Sequence, residues 1–361
     1  MKRLLIVFLF ISCSIYGQDE IHVVSQTRMV KIQPIFQSWK VNPIGTISEM
    51  SIPVEMYYPF DRRWSVKINI GQASANGKDM ASVSGLSDTQ IQLNHYLESS
   101  NLVLSLGMNV PTGKRELMLR EFNTTALLSQ NMLGFETPIF GQGFNLSPGL
   151  TWAFPAGEIV VLGLGMSYQI KGGYKPIAKM SGDYNPGGEL LITAGLDART
   201  GEAESFSFDL IWTNYKADKI GSDEIFRAGS KIMAAVQYQK YFGRDLLWLF
   251  ARYRSRSKNH VIVAGTSTEA LKIQPDEVDC TGLYNHLISK QISWNFSAEI
   301  RLLQKTDAFD RISILKLGIG SDWTISPSLL MPVKLGFGAG RFGNQKSLTG
   351  AEISLGLEYR F

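Results

Sequence analysis

Ile292-Ser293-Trp294-Asn295-Phe296-Ser297-Ala298-Glu299-Ile300-Arg301-Leu302 alternates apolar and polar residues through eleven positions without a slip. Successive side chains of a strand point to opposite faces. Ile292, Trp294, Phe296, Ala298, Ile300 and Leu302 therefore share one face, and Ser293, Asn295, Ser297, Glu299 and Arg301 the other. A tilted strand crosses the hydrocarbon of a bilayer in about nine to eleven residues, whereas strands of soluble sandwiches run to about five or six. The length of the stretch selects a membrane strand with one face in lipid and one in a lumen.

The same grammar recurs along the chain. Ile52, Val54, Met56, Tyr58 and Phe60 oppose Ser51, Pro53, Glu55 and Tyr57; after Asp61-Arg62-Arg63, Trp64, Val66, Ile68 and Ile70 oppose Ser65, Lys67, Asn69 and Gly71. Leu102 to Val110, Phe206 to Trp212 and Leu329 to Phe337 repeat it. Aromatics gather at strand ends (Tyr57, Tyr58, Phe60, Trp64, Trp152, Phe154, Tyr359, Phe361), as interfacial girdles require. Glycines inside strands, such as Gly318, Gly336 and Gly338, suit a closed sheet that bends. The expected fold class is all-β: a transmembrane antiparallel up-and-down β-barrel of 14–16 strands, with 12 as the lower bound; a first strand at 28–38 brings the count to sixteen. Ile353, Leu355, Leu357, Tyr359 and Phe361 end the sequence in register. This strand, closing on Phe361, resembles the signal read by the outer-membrane barrel assembly machinery, which it implies as a partner beside outer-membrane lipid.

The first segment reads differently. Lys2 and Arg3, the apolar run Leu4 to Ile15, and then Gly17, Gln18 and Asp19 have the order of a secretory signal, too short to span as a helix. The expected division is a signal peptide over 1–17, an N-terminal lead over 18–45 and a barrel over 46–361, in a Gram-negative outer membrane. Loss of Lys2 and Arg3 lowers the formal charge from +4 to about +2, which does not suggest a nucleic-acid partner. Cleavage near Gln18 would leave Cys280 as the one cysteine; the alternative is cleavage before Cys13 and its lipidation, with Phe10 where such motifs usually carry Leu.

Short connections are expected at Asp61-Arg62-Arg63, Glu98-Ser99-Ser100, Pro155-Ala156-Gly157, Thr200-Gly201-Glu202, Phe242-Gly243-Arg244, Ser289-Lys290-Gln291 and Ser326-Pro327-Ser328. Long ones are expected over 72–86, 112–143, 171–188, 216–229 and 257–275. Barrels of this kind place short turns in the periplasm and long loops outside, so both termini should be periplasmic. Within 112–143, the helical spacing of Met118, Phe122 and Thr125 allows a helix from Lys114 to Asn131. An irregular surface loop is the favoured reading there, and a helix folded into the mouth the alternative.

Chemistry finds little purchase. The histidines His22, His95, His260 and His286 form no cluster of metal-ligand spacing, and His286 and Ser289 fall on opposite faces of a strand. No catalytic residue, metal or cofactor is expected. The lumen is more informative. Arg252, Arg254 and Arg256 recur at period two, with Lys258 and Arg244 near in sequence, while Leu247, Leu249, Ala251 and Tyr253 take the other face. Charge on a lipid face costs several kcal/mol, so the arginines should face the lumen or rise above the membrane. They either bias a pore toward anions or form ion pairs with lumen acids such as Asp209 and Glu299. Arg252, Arg254, Arg256, Lys67, Asp209, Glu299 and Arg301 are the candidate lumen lining.

Gly85-Leu86-Ser87-Asp88-Thr89, followed by Leu106-Gly107-Met108-Asn109-Val110-Pro111-Thr112-Gly113, resembles an outer-membrane family of the meta-pathway phenol-degradation type, grouped with transporters of hydrophobic compounds. The likeness covers about thirty residues, and Tyr16-Gly17-Gln18 resembles Bacteroidetes exports. The resemblance implies passage of small apolar or aromatic compounds. The expected function is a channel or uptake transporter for small-molecule solutes; the alternatives are an accessory barrel of an outer-membrane assembly and, less favoured, an outer-membrane enzyme.

Overall fold

The computed structural model describes residues 27–361 apart from 43–44, 79, 115, 138, 179–181, 264, 271 and 344–345. The expected signal over 1–17, with Cys13, lies outside the described residues. Sixteen strands build the wall: β1 (Met29–Ile32 and Ile35–Val41), β2 (Gly45–Pro59), β3 (Trp64–Gly77), β4 (Met80–Leu86 and Thr89–Leu97), β5 (Leu102–Val110), β6 (Asn145–Pro155), β7 (Val160–Lys171) and β8 (Glu189–Gly201). They continue as β9 (Glu204–Tyr215), β10 (Lys231–Phe242), β11 (Asp245–Arg256), β12 (Glu277–Leu287), β13 (Ile292–Leu303), β14 (Ile312–Ser326), β15 (Leu329–Phe342) and β16 (Lys346–Leu355 and Leu357–Arg360). Each pairs antiparallel with its neighbours in sequence. The sheet closes where β1 meets β16, with Phe36 opposite Ile353 and Val30 opposite Tyr359. The chain is a closed sixteen-stranded transmembrane barrel, and closure removes the unpaired edges that an open sheet would expose.

The alternation resolves into two faces. Met166, Leu164, Phe296, Leu317, Phe337 and Ile353 stand on the outer face, Phe337 being 66% exposed, and form the apolar band that lipid covers. At one rim of the barrel lie Phe60, Trp64, Trp152, Trp294, Trp323, Tyr359 and Phe361. His95 stacks on Trp64 there, with ring centroids 4.0 Å apart. The tight turns collect at this rim. In one, the Asp61 carboxylate accepts the backbone N–H groups of Arg63 (2.6 Å) and Trp64 (2.8 Å), which hold its pKa below the ordinary value. In another, Gly243 takes φ +66° between β10 and β11, a conformation that favours glycine.

The long connections lie at the other rim. Three of them contribute short strands (Tyr184–Asn185; Asp218–Ile220 and Asp223–Arg227; His260–Val263 and Thr266–Glu269) to a five-stranded sheet of their own. The expected long loop over 72–86 is absent; β3 and β4 run on to a tight hairpin at Lys78. That stretch was hard to read because its apolar residues face inward: Ala73, Ala75 and Val83 are buried on the lumen side. Val41, Leu303, Ile312, Ile314 and Leu348 repeat the inversion at the same rim. Near this rim the inside of the wall is apolar, because something packs against it.

That something is the connection between β5 and β6. The expectation of an irregular surface loop is overturned: the segment folds into the barrel mouth. It contains one helix, α1 (Leu119–Ser129), shorter than the 114–131 span that helical spacing allowed. Leu117, Leu128, Met132, Phe135 and Phe140 of the segment form one core with Trp39, Val41, Ala75, Val83, Ile312 and Leu348 of the wall. Burying apolar surface at about 25 cal/mol per Å² draws the segment inward, since outside the barrel these side chains would meet water.

Candidate functional site

The launch of the inward segment is set by the two stretches that carry the family resemblance, which the fold brings face to face. Asp88, 8% exposed in the gap between the two halves of β4, accepts three bonds: Gly113 N at 2.9 Å, Gln142 N at 2.6 Å and Asn109 Nδ2 at 2.9 Å. One carboxylate thus ties both ends of the segment to the wall. Thr112 Oγ1 accepts Thr89 N at 2.9 Å and donates to Ser87 O at 3.2 Å. Gly113 admits no side chain, since a Cβ there would stand 2.1 Å from Phe140 O. The Asp-Thr and Pro-Thr-Gly stretches are structural: they fix where the chain leaves β5 and turns inward.

Further along, the segment hangs from wall side chains. Gln37 donates to Gly134 O (3.1 Å) and accepts Glu136 N (2.8 Å). Glu49, 1% exposed, accepts Thr137 N at 2.8 Å, and Arg301 Nη1 donates to Asn131 O at 3.0 Å. The segment therefore lies against β13, β14, β16 and β1 to β4. The facing wall, β7 to β12, carries none of these bonds.

The basic stripe stands at the boundary between the two. Its register places Asp209, Ala235, Arg252, Asp279 and Arg301 in one row across β9 to β13. Arg252 pairs with Asp279 and, at 3.5 Å, with Glu277; Arg254 pairs with Glu277. Arg301 reaches Asp279 (3.0 Å), Glu277 (3.7 Å) and Glu299 (3.8 Å), and Lys316 shares Glu299 at 3.8 Å. Arg256 donates to the Tyr215 hydroxyl at 3.0 Å and lies over its ring. Ion pairing is thus realised with Glu277 and Asp279, which sequence reading missed. Their signal was the period-two spacing of Glu277, Asp279 and Thr281, opposite the arginines in the next strand. Asp209 is separated from Arg252 by Ala235, and among the described residues it pairs with none of the arginines. Arg252, Arg254, Arg301 and Lys316 face Glu277, Asp279 and Glu299, and Glu352, also near Lys316, pairs with Lys334 at 3.3 Å, so cations outnumber carboxylates by one among these described groups.

The other candidates are scattered. Lys67 pairs with Glu55 at 3.1 Å on the inner face nearer the tight-turn rim. Arg244 sits in the β10–β11 turn, at the opposite end of β11 from the stripe, and Lys258 pairs with Glu269 at 3.0 Å in the long-loop sheet. Asn285, Asn295 and Asp322 form a polar band below the cluster, with Asn295 Nδ2 donating to Asp322 at 2.8 Å. Trp248 and Phe250 share the inner face of β11 with the arginines, half-buried and stacked with centroids 5.6 Å apart and planes within 2°.

His286 and Ser289 are each bonded elsewhere. His286 Nδ1 lies 2.9 Å from Asp245, which also accepts the Tyr284 hydroxyl at 2.8 Å, on the outer face near a turn. Ser289 instead caps its own turn through Gln291 N and Ile292 N. Among the described residues no group of three His, Cys, Asp or Glu is placed to hold a metal ion.

No protein-family model matches the chain, and no curated protein does. Solved structures do. A bacterial polysaccharide outer membrane secretin shares 10% identity over 92% of this chain and 98% of its own, with a TM-score of 0.47. The outer membrane channel DcaP of Acinetobacter baumannii shares 11% over 92% and 96%, with a TM-score of 0.46. A loop-deletion mutant of OmpT, an outer membrane protein of Vibrio cholerae, shares 10% over 93% and 100%, with a TM-score of 0.44. At such identities the likeness concerns barrel architecture and says nothing of solute.

Proposed function

We propose that the chain is an outer-membrane channel in which small solutes pass between the inward segment and the charged wall of β9 to β12. The observation that carries this reading is the seating of the segment. It is bonded to one side of the lumen through Gln37, Glu49 and Arg301, and the opposite side presents polar and charged side chains. A barrel serving only as a scaffold has no need of a narrowing held in place by so many specific bonds. Retained positive charge around Arg252, Arg254 and Arg256 biases such a passage toward anions.

Single-channel recording of the refolded full chain in a planar bilayer tests the proposal. Steady conductance with anion preference is expected, and the triple change of Arg252, Arg254 and Arg256 to Gln should reduce that preference. Replacing 116–140 by a short Gly-Ser linker should raise the conductance. A correctly folded barrel that conducts nothing, with or without the segment, would overturn it.

A further inference from the structure

We infer that the inner face of β11 is a binding site for a small aromatic carboxylate, with the ring on Trp248 and Phe250 and the acid at Arg252. The inference rests on the channel reading and names the class of solute. Leu246, Trp248, Phe250, Arg252, Arg254 and Arg256 follow one another along a single inward-facing stripe, so one strand changes from apolar to basic along its length. Residues of one face are spaced by about 6.6 Å along a strand. A ring lying against Phe250 therefore holds a carboxylate attached to it within reach of Arg252.

Three observations make this a site rather than a run of wall residues. The stacked pair Trp248 and Phe250 is flanked by Gln239 and Leu283 on one row and by Gln237 and Thr281 on the next. Among the described residues no other ring stacks on the pair, and three of its four row neighbours are polar. The cluster beyond it holds more cations than carboxylates, as described above. Finally, the Arg252 side chain, although paired with Asp279 and Glu277, stays 27% exposed on the inner face next to Phe250. A carboxylate that accepts from a guanidinium makes a charge-assisted hydrogen bond, stronger than one between neutral groups. A neutral ring compound matches only the lower half of the stripe, and a small inorganic anion only the upper half.

The test is calorimetric titration of the refolded full chain with benzoate, with acetate and benzyl alcohol as probes that lack the ring and the charge. Benzoate is expected to bind about tenfold or more tightly than either. Arg252→Gln should weaken benzoate about tenfold and leave benzyl alcohol unchanged. Phe250→Leu, which keeps apolar volume, should weaken benzoate several-fold and leave acetate unchanged. Equal binding of acetate and benzoate, or benzoate binding indifferent to both substitutions, would sink the site. Conductance in potassium chloride, measured on the same preparations, separates the two ideas. A conducting barrel without benzoate preference removes the site and keeps the channel. A silent barrel that binds benzoate removes the channel and keeps the site.

Discussion

At the scale of single residues, the wall is shaped by what it makes room for. The Trp39 ring, 2% exposed, lies across Gly350 and Gly338, where an added Cβ would stand 2.6 and 2.4 Å from ring atoms. Lys316 lies over the same ring at 5.7 Å. Gly338→Ala is expected to destabilise the refolded barrel by about 1–3 kcal/mol, as overpacking of a filled site does. Gly282→Ala, whose Cβ would meet only Leu249 at 3.4 Å, should cost far less. Urea unfolding in lipid vesicles checks this, and equal losses would show that Trp39 is not the reason for the glycine. Asp88→Ala is a second test. It strands the N–H groups of Gly113 and Gln142, at about 1–3 kcal/mol each. The strands should survive while segment 111–144 becomes open to protease, and unchanged cleavage would count against the tie.

At the scale of elements, α1 is held at its start by one acid. Glu121 accepts Met118 N at 3.0 Å and Lys114 Nζ at 2.8 Å, and these bonds, the lysine first, hold its pKa below 4.5. A depressed carboxyl contributes stability that is present above the unfolded value and is lost as pH falls through the folded one. Glu121→Gln should loosen the helix by about 0.5–1 kcal/mol at pH 7, and acidification through the lowered pKa of Glu121 should produce the same loosening in the parent chain. Amide hydrogen exchange over 119–129 reads both; a helix indifferent to the substitution refutes the cap. The spanning strands were legible because lipid demands apolar residues at every second position, as in 292–302. The hairpin around Lys78 was not, because Ala73, Ala75 and Val83 are apolar toward the segment and polar neighbours face outward. The segment itself was illegible as an inward element because its partners, Gln37, Glu49 and Ile312, lie far away in the chain. Likewise, the stripe on β11 was visible at Arg252, Arg254 and Arg256, whereas Asp279 as their partner follows from strand register, which alternation alone does not give.

At the scale of the molecule, closure joins residues more than three hundred positions apart. Lys40 and Thr349 are directly opposed across the β1–β16 seam. With Cys280 replaced by Ser, Lys40→Cys with Thr349→Cys should oxidise readily in the refolded chain, since directly opposed positions bring Cβ atoms to about 4.5–5.5 Å. Lys40→Cys with Ala351→Cys, offset along the strand, should not. The reverse preference in thiol titration would overturn the register.

The inward segment also carries a statement about time. It lies between β5 and β6, so it is among the earlier parts of the chain to be made, yet its seat is built from both ends of the sequence. Gln37 and Glu49 stand on one side of the seam, and Arg301, Ile312, Ile314 and Leu348 on the other. Those two surfaces become neighbours only when the last strand has joined the first. Until that moment the segment has only half of its berth. The contacts that seat the segment thus depend on a finished barrel, and an incompletely closed one lacks half of them.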